Sequence, residues 1–177
     1  NDGSRYSGTA GFDLKYALRS NVILNATVNP DFGQVEIDPA VVNLGAFETF
    51  FPEKRPFFIE GSQIFSDFGN LGANSRFGFN RSEPDLIHTR RIGRPPQGSV
   101  SGDFVSTPTS TTILGAATVT GKTTNAWSFG ILEAATGREY ARMSNTGALS
   151  RVEVEPATNY FAGRVLKEFG EGRSGIG

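Results

Sequence analysis

Charged residues of both signs, with phenylalanines between them, are concentrated in the stretch from position 31 to position 94. Carboxylates in such a cluster could bind a hard cation such as Ca²⁺, which takes oxygen ligands, or could supply the acid and base of a glycoside hydrolase. The candidate site residues are Asp31, Glu36, Asp38, Glu53, Lys54, Arg55, Glu60, Arg90, Arg91 and Arg94.

The spacing of these carboxylates argues against both kinds of chemistry. It matches no calcium-binding loop such as the EF-hand, and a chain with 18 Asp and Glu residues contains many carboxylate pairs by chance. Because an unpaired buried charge is very costly, we expect the acids to pair with the neighbouring Lys and Arg side chains. We therefore predict no catalytic residue, no metal and no cofactor, and we favour a function other than catalysis.

Three arginines, Arg90, Arg91 and Arg94, form a basic cluster at the end of this stretch. Arginine suits the bidentate recognition of anions, so the cluster could bind phosphate, a sugar acid or lipopolysaccharide. Ion pairing with nearby acids is the favoured interpretation. We assign His88 to a short strand over 86–96 rather than to a reactive site.

The composition of the chain excludes several classes of protein. Its 177 residues include no Cys and one His, and the net charge is -1. Disulfide scaffolds, thiol catalysis and sites with paired imidazoles are therefore excluded, and a nucleic-acid partner is not expected. No run of about 20 apolar residues predicts a transmembrane helix, and we expect no signal peptide among these residues because they have no basic-then-apolar start. We expect the chain, which opens without Met and stops as a new strand begins, to be one domain or a piece of one.

Alternating apolar and polar residues predict β-strands. Phe12, Leu14, Tyr16 and Leu18 share one face of the first strand, and the turn at 20–21 leads to a second strand with the same pattern. The predicted strands cover 10–19, 22–29, 112–121, 126–135 and 151–169. Because Pro156 interrupts the last region, it is either one strand or two. A further strand begins at Ser174.

Short and long connections alternate along the chain. The turns near positions 20, 123 and 172 are tight, whereas 30–110 and 136–150 are long. This rhythm is typical of a transmembrane β-barrel, which has short periplasmic turns and long outer loops. An antiparallel sandwich or a periplasmic β-domain with one buried face produces the same alternation and stays open as an alternative.

The connection over 30–110 is long enough to be an inserted structural unit. Asp38 and Pro39 are typical of a helix start, and the apolar spacing that follows predicts a short helix that ends before Pro52. Charges of both signs among Phe residues favour a plug-like segment inside a polar barrel. The alternative is a surface helix and turn held by its own Phe cluster.

Four segments of the sequence together carry a resemblance to a known family. They are NPDFGQVEID at 29–38, VNL at 42–44, FETFFPEKRPFFIEG at 47–61 and RRIGR at 90–94. They resemble bacterial domain-of-unknown-function family 5916, and a weaker similarity extends over 155–164. Members of this family follow a module similar to family-nine carbohydrate-binding domains, and the family domain is expected to form an outer-membrane β-barrel.

The resemblance implies a location rather than a mechanism. It implies that residues 1–177 are part of a barrel domain in the bacterial outer membrane, with an upstream carbohydrate-binding-like module in the same parent chain. The expected fold is all-β, an antiparallel up-and-down sheet that is part of this barrel, with a long plug-like insertion. The expected partners are outer-membrane lipid and an envelope substrate such as a glycan, and the family assigns no catalytic residues.

The expected function is the transport or handling of a substrate at the cell envelope. The alternative is a soluble periplasmic or secreted domain that binds or processes glycans. It would need exposed aromatic platforms, for which Trp127, Tyr140 and Tyr160 are the candidates.

Overall fold

The computed structural model describes residues 10–30, 51–65, 87–170 and 174–176. The described strands are β1 (Phe12–Arg19), β2 (Val22–Val28), β3 (Phe104–Ser106), β4 (Ile113–Lys122), β5 (Trp127–Thr136), β6 (Glu139–Asn145), β7 (Ala148–Glu155), β8 (Thr158–Phe169) and β9 (Ser174–Ile176). A short helix α1 (Pro56–Ile59) and 3-10 turns at Ser62–Ile64 and Thr89–Arg91 complete the elements. Within these ranges, none of the helices has the length and hydropathy that a membrane-spanning helix needs.

Six strands form the main sheet in the order β1-β2-β4-β5-β8-β9, and every neighbouring pair is antiparallel. The predicted all-β, antiparallel fold is therefore confirmed. The observed bounds of β1, β2, β4 and β5 differ by at most two residues from the predicted ones. Among the described strands the sheet does not close on itself, because β1 pairs only with β2.

One face of the main sheet is apolar and exposed, and we call it the apolar face. Phe12 is 63% exposed, Tyr16 57% and Phe161 71%. The strand register places further apolar side chains on the same face, namely Leu14, Leu24, Val119, Ile131 and Val165. Two charged residues, Glu133 and Lys167, also lie on this face, towards its two ends. In the register Glu133 pairs with Phe161, and Lys167 pairs with Trp127.

The opposite face, which we call the inner face, is more polar and partly covered. Asn25, Thr27 and Thr118 lie on it and are buried. Segments 51–65 and 87–96 pack against its centre through a core of seven buried side chains: Phe58, Phe65, Ile92, Ile113, Ala116, Leu132 and Ala134. The difference between the two faces follows from the period of two in a strand, which sends alternate side chains to opposite sides.

The covering segment packs closely against the sheet at Gly130 in β5. A Cβ atom there would lie 2.4 Å from Ile64 Cγ2 and 2.9 Å from Phe65 Cζ. We expect Gly130→Ala to lower the free energy of unfolding by about 1–3 kcal/mol, because the added methyl overpacks a filled contact.

Gly163 in β8 provides the matched control for Gly130. A Cβ atom at Gly163 would meet only the Phe161 ring, at 3.4 Å, which is an ordinary contact. Denaturant unfolding of the two alanine variants measures the difference. Equal stability of both variants would show that the segment does not pack against β5 at Gly130.

The predicted loop over 136–150 is wrong, since it contains most of a hairpin. β6 and β7 pair with each other, and with β3 they form a second, three-stranded sheet. Thr146 and Gly147 both have positive φ, at 47° and 84°, as a two-residue hairpin turn of type I′ requires. In β6, Glu139, Ala141 and Met143 alternate with Tyr140, Arg142 and Ser144, so neither side is uniformly apolar and the period-two pattern is absent.

The predicted strand region 151–169 divides at Pro156, so the two-strand alternative is correct. Proline has no N–H group for the ladder, and β7 and β8 belong to different sheets. The predicted strand over 86–96 is wrong, because backbone bonds from Arg91 N to His88 O (3.1 Å) and from Ile92 N to Thr89 O (2.9 Å) form a 3-10 turn. The helix predicted to begin at Asp38 lies outside the described residues.

Candidate functional site

Arg55 is the centre of a buried ion-pair network between segments 51–65 and 87–96. It is 6% exposed, and it binds the Glu53 carboxylate through two hydrogen bonds. Arg55 Nε donates to Glu53 Oε1 at 2.8 Å, and Arg55 Nη2 donates to Glu53 Oε2 at 2.7 Å. This two-bond geometry is the strongest that an arginine makes with a carboxylate.

The local sequence explains why these two side chains meet. Glu53 Oε1 also accepts the backbone N–H groups of Lys54 and Arg55, both at 3.0 Å, so the carboxylate folds over the start of the turn. Pro56 then occupies the first helical position, where its missing N–H costs nothing. Arg55 therefore points back onto Glu53 rather than towards solvent.

The same guanidinium connects the two segments. Arg55 Nη1 donates to the carbonyl oxygen of Ile92 at 2.6 Å, and Nη2 donates to that of Thr89 at 2.7 Å. The Thr89 hydroxyl donates to Glu53 Oε2 at 2.6 Å, and the Phe58 ring lies 4.2 Å from the guanidinium carbon. We refer to Glu53, Arg55 and Thr89 as the Arg55 network.

Glu53 is ionised in this environment. Burial by itself raises the pKa of a carboxyl group, but the hydrogen bonds from Arg55 and Thr89 and the guanidinium charge outweigh it. The pKa of Glu53 falls from 4.5 to about 2.

This lowered pKa predicts a loss of stability in acid. Because the folded pKa of Glu53 is lower than its unfolded value of 4.5, its contribution is fully present above pH 4.5 and is lost as the pH falls towards about 2. We expect the free energy of unfolding of the natural protein to fall more steeply in this window than that of Glu53→Gln. Parallel pH profiles for the two proteins would contradict the assignment.

The structure brings some of the other predicted residues into the Arg55 network and not others. Arg90 Nη1 lies 4.0 Å from Glu53 Oε1, whereas Arg94 Nη2 lies 4.0 Å from Glu155 Oε1. Glu60 pairs with Lys15 of β1, and the Lys54 residue is exposed. The Arg91 carbonyl oxygen accepts the hydroxyl of Tyr160 at 3.3 Å. The predicted site residues Asp31, Glu36 and Asp38 lie outside the described residues.

Three contacts between the sheets and the covering segments come from residues outside the predicted site. Lys15, Glu155 and Arg164 reach the covering segments from the sheets, and Arg164 Nη1 donates to the Ile64 carbonyl oxygen at 2.9 Å. For Lys15 a signal was present, because alternation places it on the polar face of β1. Glu155 and Arg164 gave none, since their partners are far away in the sequence.

A cavity of about 120 Å³ adjoins the Arg55 network on the inner face. Polar side chains of Glu53, Glu60, Ser62 and Thr118 line it, together with the rings of Phe58 and Phe65. The Thr118 hydroxyl is buried and has no hydrogen-bond partner within the described part of the chain. No group of three potential metal ligands occurs in that part either.

The contacts around the Arg55 network hold the covering segments in place. The carboxylates of Glu53 and Glu60 each contact a cation. The bonds from Arg55 to the carbonyl oxygens of Thr89 and Ile92 join the covering segments to each other. The exposed pair of Glu60 with Lys15 and the bond from Arg164 to the Ile64 carbonyl join them to the sheet. Comparison with protein families gives a match to the model described as a domain of unknown function (DUF5916), over residues 1–171. Comparisons with curated proteins and with solved structures give no match.

Proposed function

The chain belongs to the DUF5916 family, and we propose that it forms part of the wall of a β-barrel in the bacterial outer membrane. The observation that carries this proposal is the apolar face of the main sheet. An exposed sheet face that carries Phe, Tyr, Leu and Ile side chains across adjacent strands needs a cover, and the hydrocarbon of a bilayer supplies one.

The lengths and patterns of the strands support the same proposal. β4 and β5 have ten residues each and β8 has twelve, while a tilted strand needs about 9–11 residues to cross a bilayer. Lys167 lies opposite Trp127 near the end of the sheet with the short turns. An aromatic residue and a charge at this level are typical of the boundary between lipid and water.

Segments 51–65 and 87–96 occupy the side that would face the barrel lumen. Their contacts with the inner face combine apolar packing with the ion pair between Lys15 and Glu60 and the bond from Arg164 to the Ile64 carbonyl. A polar lumen tolerates such charges because they are paired. We therefore assign these segments to a plug-like insertion.

The proposed function is the transport or handling of a substrate at the outer membrane, with the insertion controlling the lumen. A glycan substrate is part of the proposal only through the carbohydrate-binding-like module expected upstream. The alternative, a soluble glycan-binding β-domain, requires a local aromatic platform. The exposed aromatic residues Phe12, Tyr16, Trp127 and Phe161 instead extend over the whole apolar face.

Fractionation of cells that produce the full-length parent protein tests the proposal. We expect recovery in the outer-membrane fraction and a change of electrophoretic mobility on boiling, because closed barrels resist detergent until heated. Recovery in the soluble periplasmic fraction without a mobility change would contradict it. Sugar binding by that soluble protein, lost in Trp127→Ala, would then support the alternative.

A further inference from the structure

The hairpin of β6 and β7 extends the protein at the end of the main sheet that is opposite the short turns. It follows β5 directly and returns into β8, next to the paired residues Thr136 and Thr158. One side of the hairpin is covered at its base, where Ala141 is 0% exposed and Val154 is 4% exposed, while Val152 opposite Ala141 is 36% exposed. Gly98, which follows the segment on the inner face, donates its N–H group to the Val154 carbonyl at 2.8 Å.

Two arginines stand directly opposite each other on the uncovered side. Arg142 of β6 and Arg151 of β7 are paired in the register, and both are exposed. Like charges at directly opposed positions are destabilising in an antiparallel pair. The Tyr140 ring lies under the Arg151 guanidinium, with the guanidinium carbon 4.0 Å from the ring centroid, and so holds this side chain in place.

Glu153 lies on the same side as the two arginines, opposite Tyr140 in the register, and its ion-pair partner is Arg138. Glu153 Oε2 lies 3.9 Å from Arg138 Nη1, and Glu139 Oε1 accepts the backbone N–H of Thr112 at 2.8 Å. Within the described residues, no carboxylate forms an ion pair with Arg142 or Arg151. Two guanidinium groups stand against the single Glu153 carboxylate on this exposed surface, so an excess of positive charge remains.

The same surface carries exposed apolar side chains beyond the arginines. Phe104 is 65% exposed and Leu149 is 84% exposed, and both are aligned with Ser144 in the register. Because side chains alternate along a strand, Ser144 and Leu149 lie on the same side as Arg142 and Arg151. An anionic ligand that also has an apolar part matches this combination better than a free anion.

We propose that Arg142 and Arg151 form a binding site for a phosphate group of an outer-leaflet lipid, with Tyr140 as a positioning residue. Arginine side chains bind phosphate through paired hydrogen bonds, and one phosphate between them removes the repulsion across the strands. The proposal rests on the proposed function, because in a barrel with short periplasmic turns this hairpin lies on the outer side of the membrane. Lipopolysaccharide is the phosphorylated glycolipid of that leaflet.

The test uses the full-length protein, purified in detergent, with phosphorylated lipid A, dephosphorylated lipid A and inorganic phosphate as probes. Arg142→Gln and Arg151→Gln should each weaken binding of the phosphorylated lipid about tenfold, since a hydrogen bond to a charged group is lost. Tyr140→Ala should also weaken it, and Tyr140→Phe should restore it because the ring is kept. Lys122→Gln, which removes a charge at the short-turn end, should bind normally.

The outcomes separate a failure of the lipid-binding proposal from a failure of the membrane assignment. Preference for the phosphorylated lipid, lost in both arginine variants, supports the proposal. Equal binding of dephosphorylated lipid, or unchanged binding by the arginine variants, overturns it even if the protein is recovered in the outer membrane. If inorganic phosphate binds as tightly as the lipid, the site recognises phosphate alone, and the proposal that its ligand is a lipid is overturned. Failure of the proposed function is detected separately, by fractionation.

Discussion

Arg55→Met should lower the free energy of unfolding by about 3–5 kcal/mol, since removing one partner of a buried ion pair leaves an uncompensated charge. The Glu53 carboxylate would lose its two-bond partner, and the carbonyl oxygens of Thr89 and Ile92 would lose their donors. The contact between segments 51–65 and 87–96 depends on these bonds. We therefore expect the variant to become sensitive to proteases in both segments, and denaturant unfolding measures the energy.

Three further variants make this result interpretable. Arg138→Ala removes an arginine whose side chain is 62% exposed and should change stability by less than about 1 kcal/mol. Arg55→Lys keeps the charge but not the planar fork, so its stability should lie between those of the natural protein and Arg55→Met. Adding Glu53→Gln to Arg55→Met should recover part of the loss, because the unpaired charge is gone. A small effect of Arg55→Met would mean that the network is dispensable for the fold.

Ile131→Arg should be the most damaging single substitution on the apolar face. Ile131 lies between Val119 and Gly163 in the middle of the sheet and is 46% exposed. An arginine at the bilayer midplane of a β-barrel costs about 2–4 kcal/mol. The folded fraction in outer membranes, measured from the heat-dependent mobility shift, should therefore fall sharply.

Phe169→Arg provides the control for depth. Phe169 is 49% exposed, close to the value for Ile131, but it lies at the end of β8 next to the short turn. Near the interface the cost of an arginine falls to about 0–1 kcal/mol. On a soluble sheet, both substitutions would exchange an exposed apolar residue for a charge with similar small effects. Equal tolerance of the two variants would therefore contradict a lipid-facing surface.

The main sheet could be predicted from the sequence because its strands combine a strict period of two with recognisable turns. In β1, apolar residues alternate with Asp13, Lys15 and other polar residues, and a two-residue turn follows. The second sheet could not be predicted in the same way. β6 contains Ala141 between Tyr140 and Arg142, and this strand is defined by its pairing with β7 rather than by an apolar face.

The sequence predicted which charged residues belong to the candidate site, but not most of the partners to which they bind. The expectation that buried acids would pair with nearby cations identified Glu53 and Arg55, which are two residues apart. Thr89 was not selected because it carries no charge, although its hydroxyl binds Glu53. Glu155 could not be assigned to Arg94, since a separation of this size in the sequence gives no local pattern.

Cysteine scanning along β8 tests the membrane assignment most directly, because this chain has no Cys of its own. Single cysteines at positions 161 to 165 of the full-length protein, each carrying a fluorescent label, are compared in lipid vesicles. We expect a lipid-soluble quencher to reduce fluorescence at Phe161, Gly163 and Val165, but not at Ala162 and Arg164. Equal access of a water-soluble quencher to all five positions, without alternation, would contradict a barrel wall in the outer membrane.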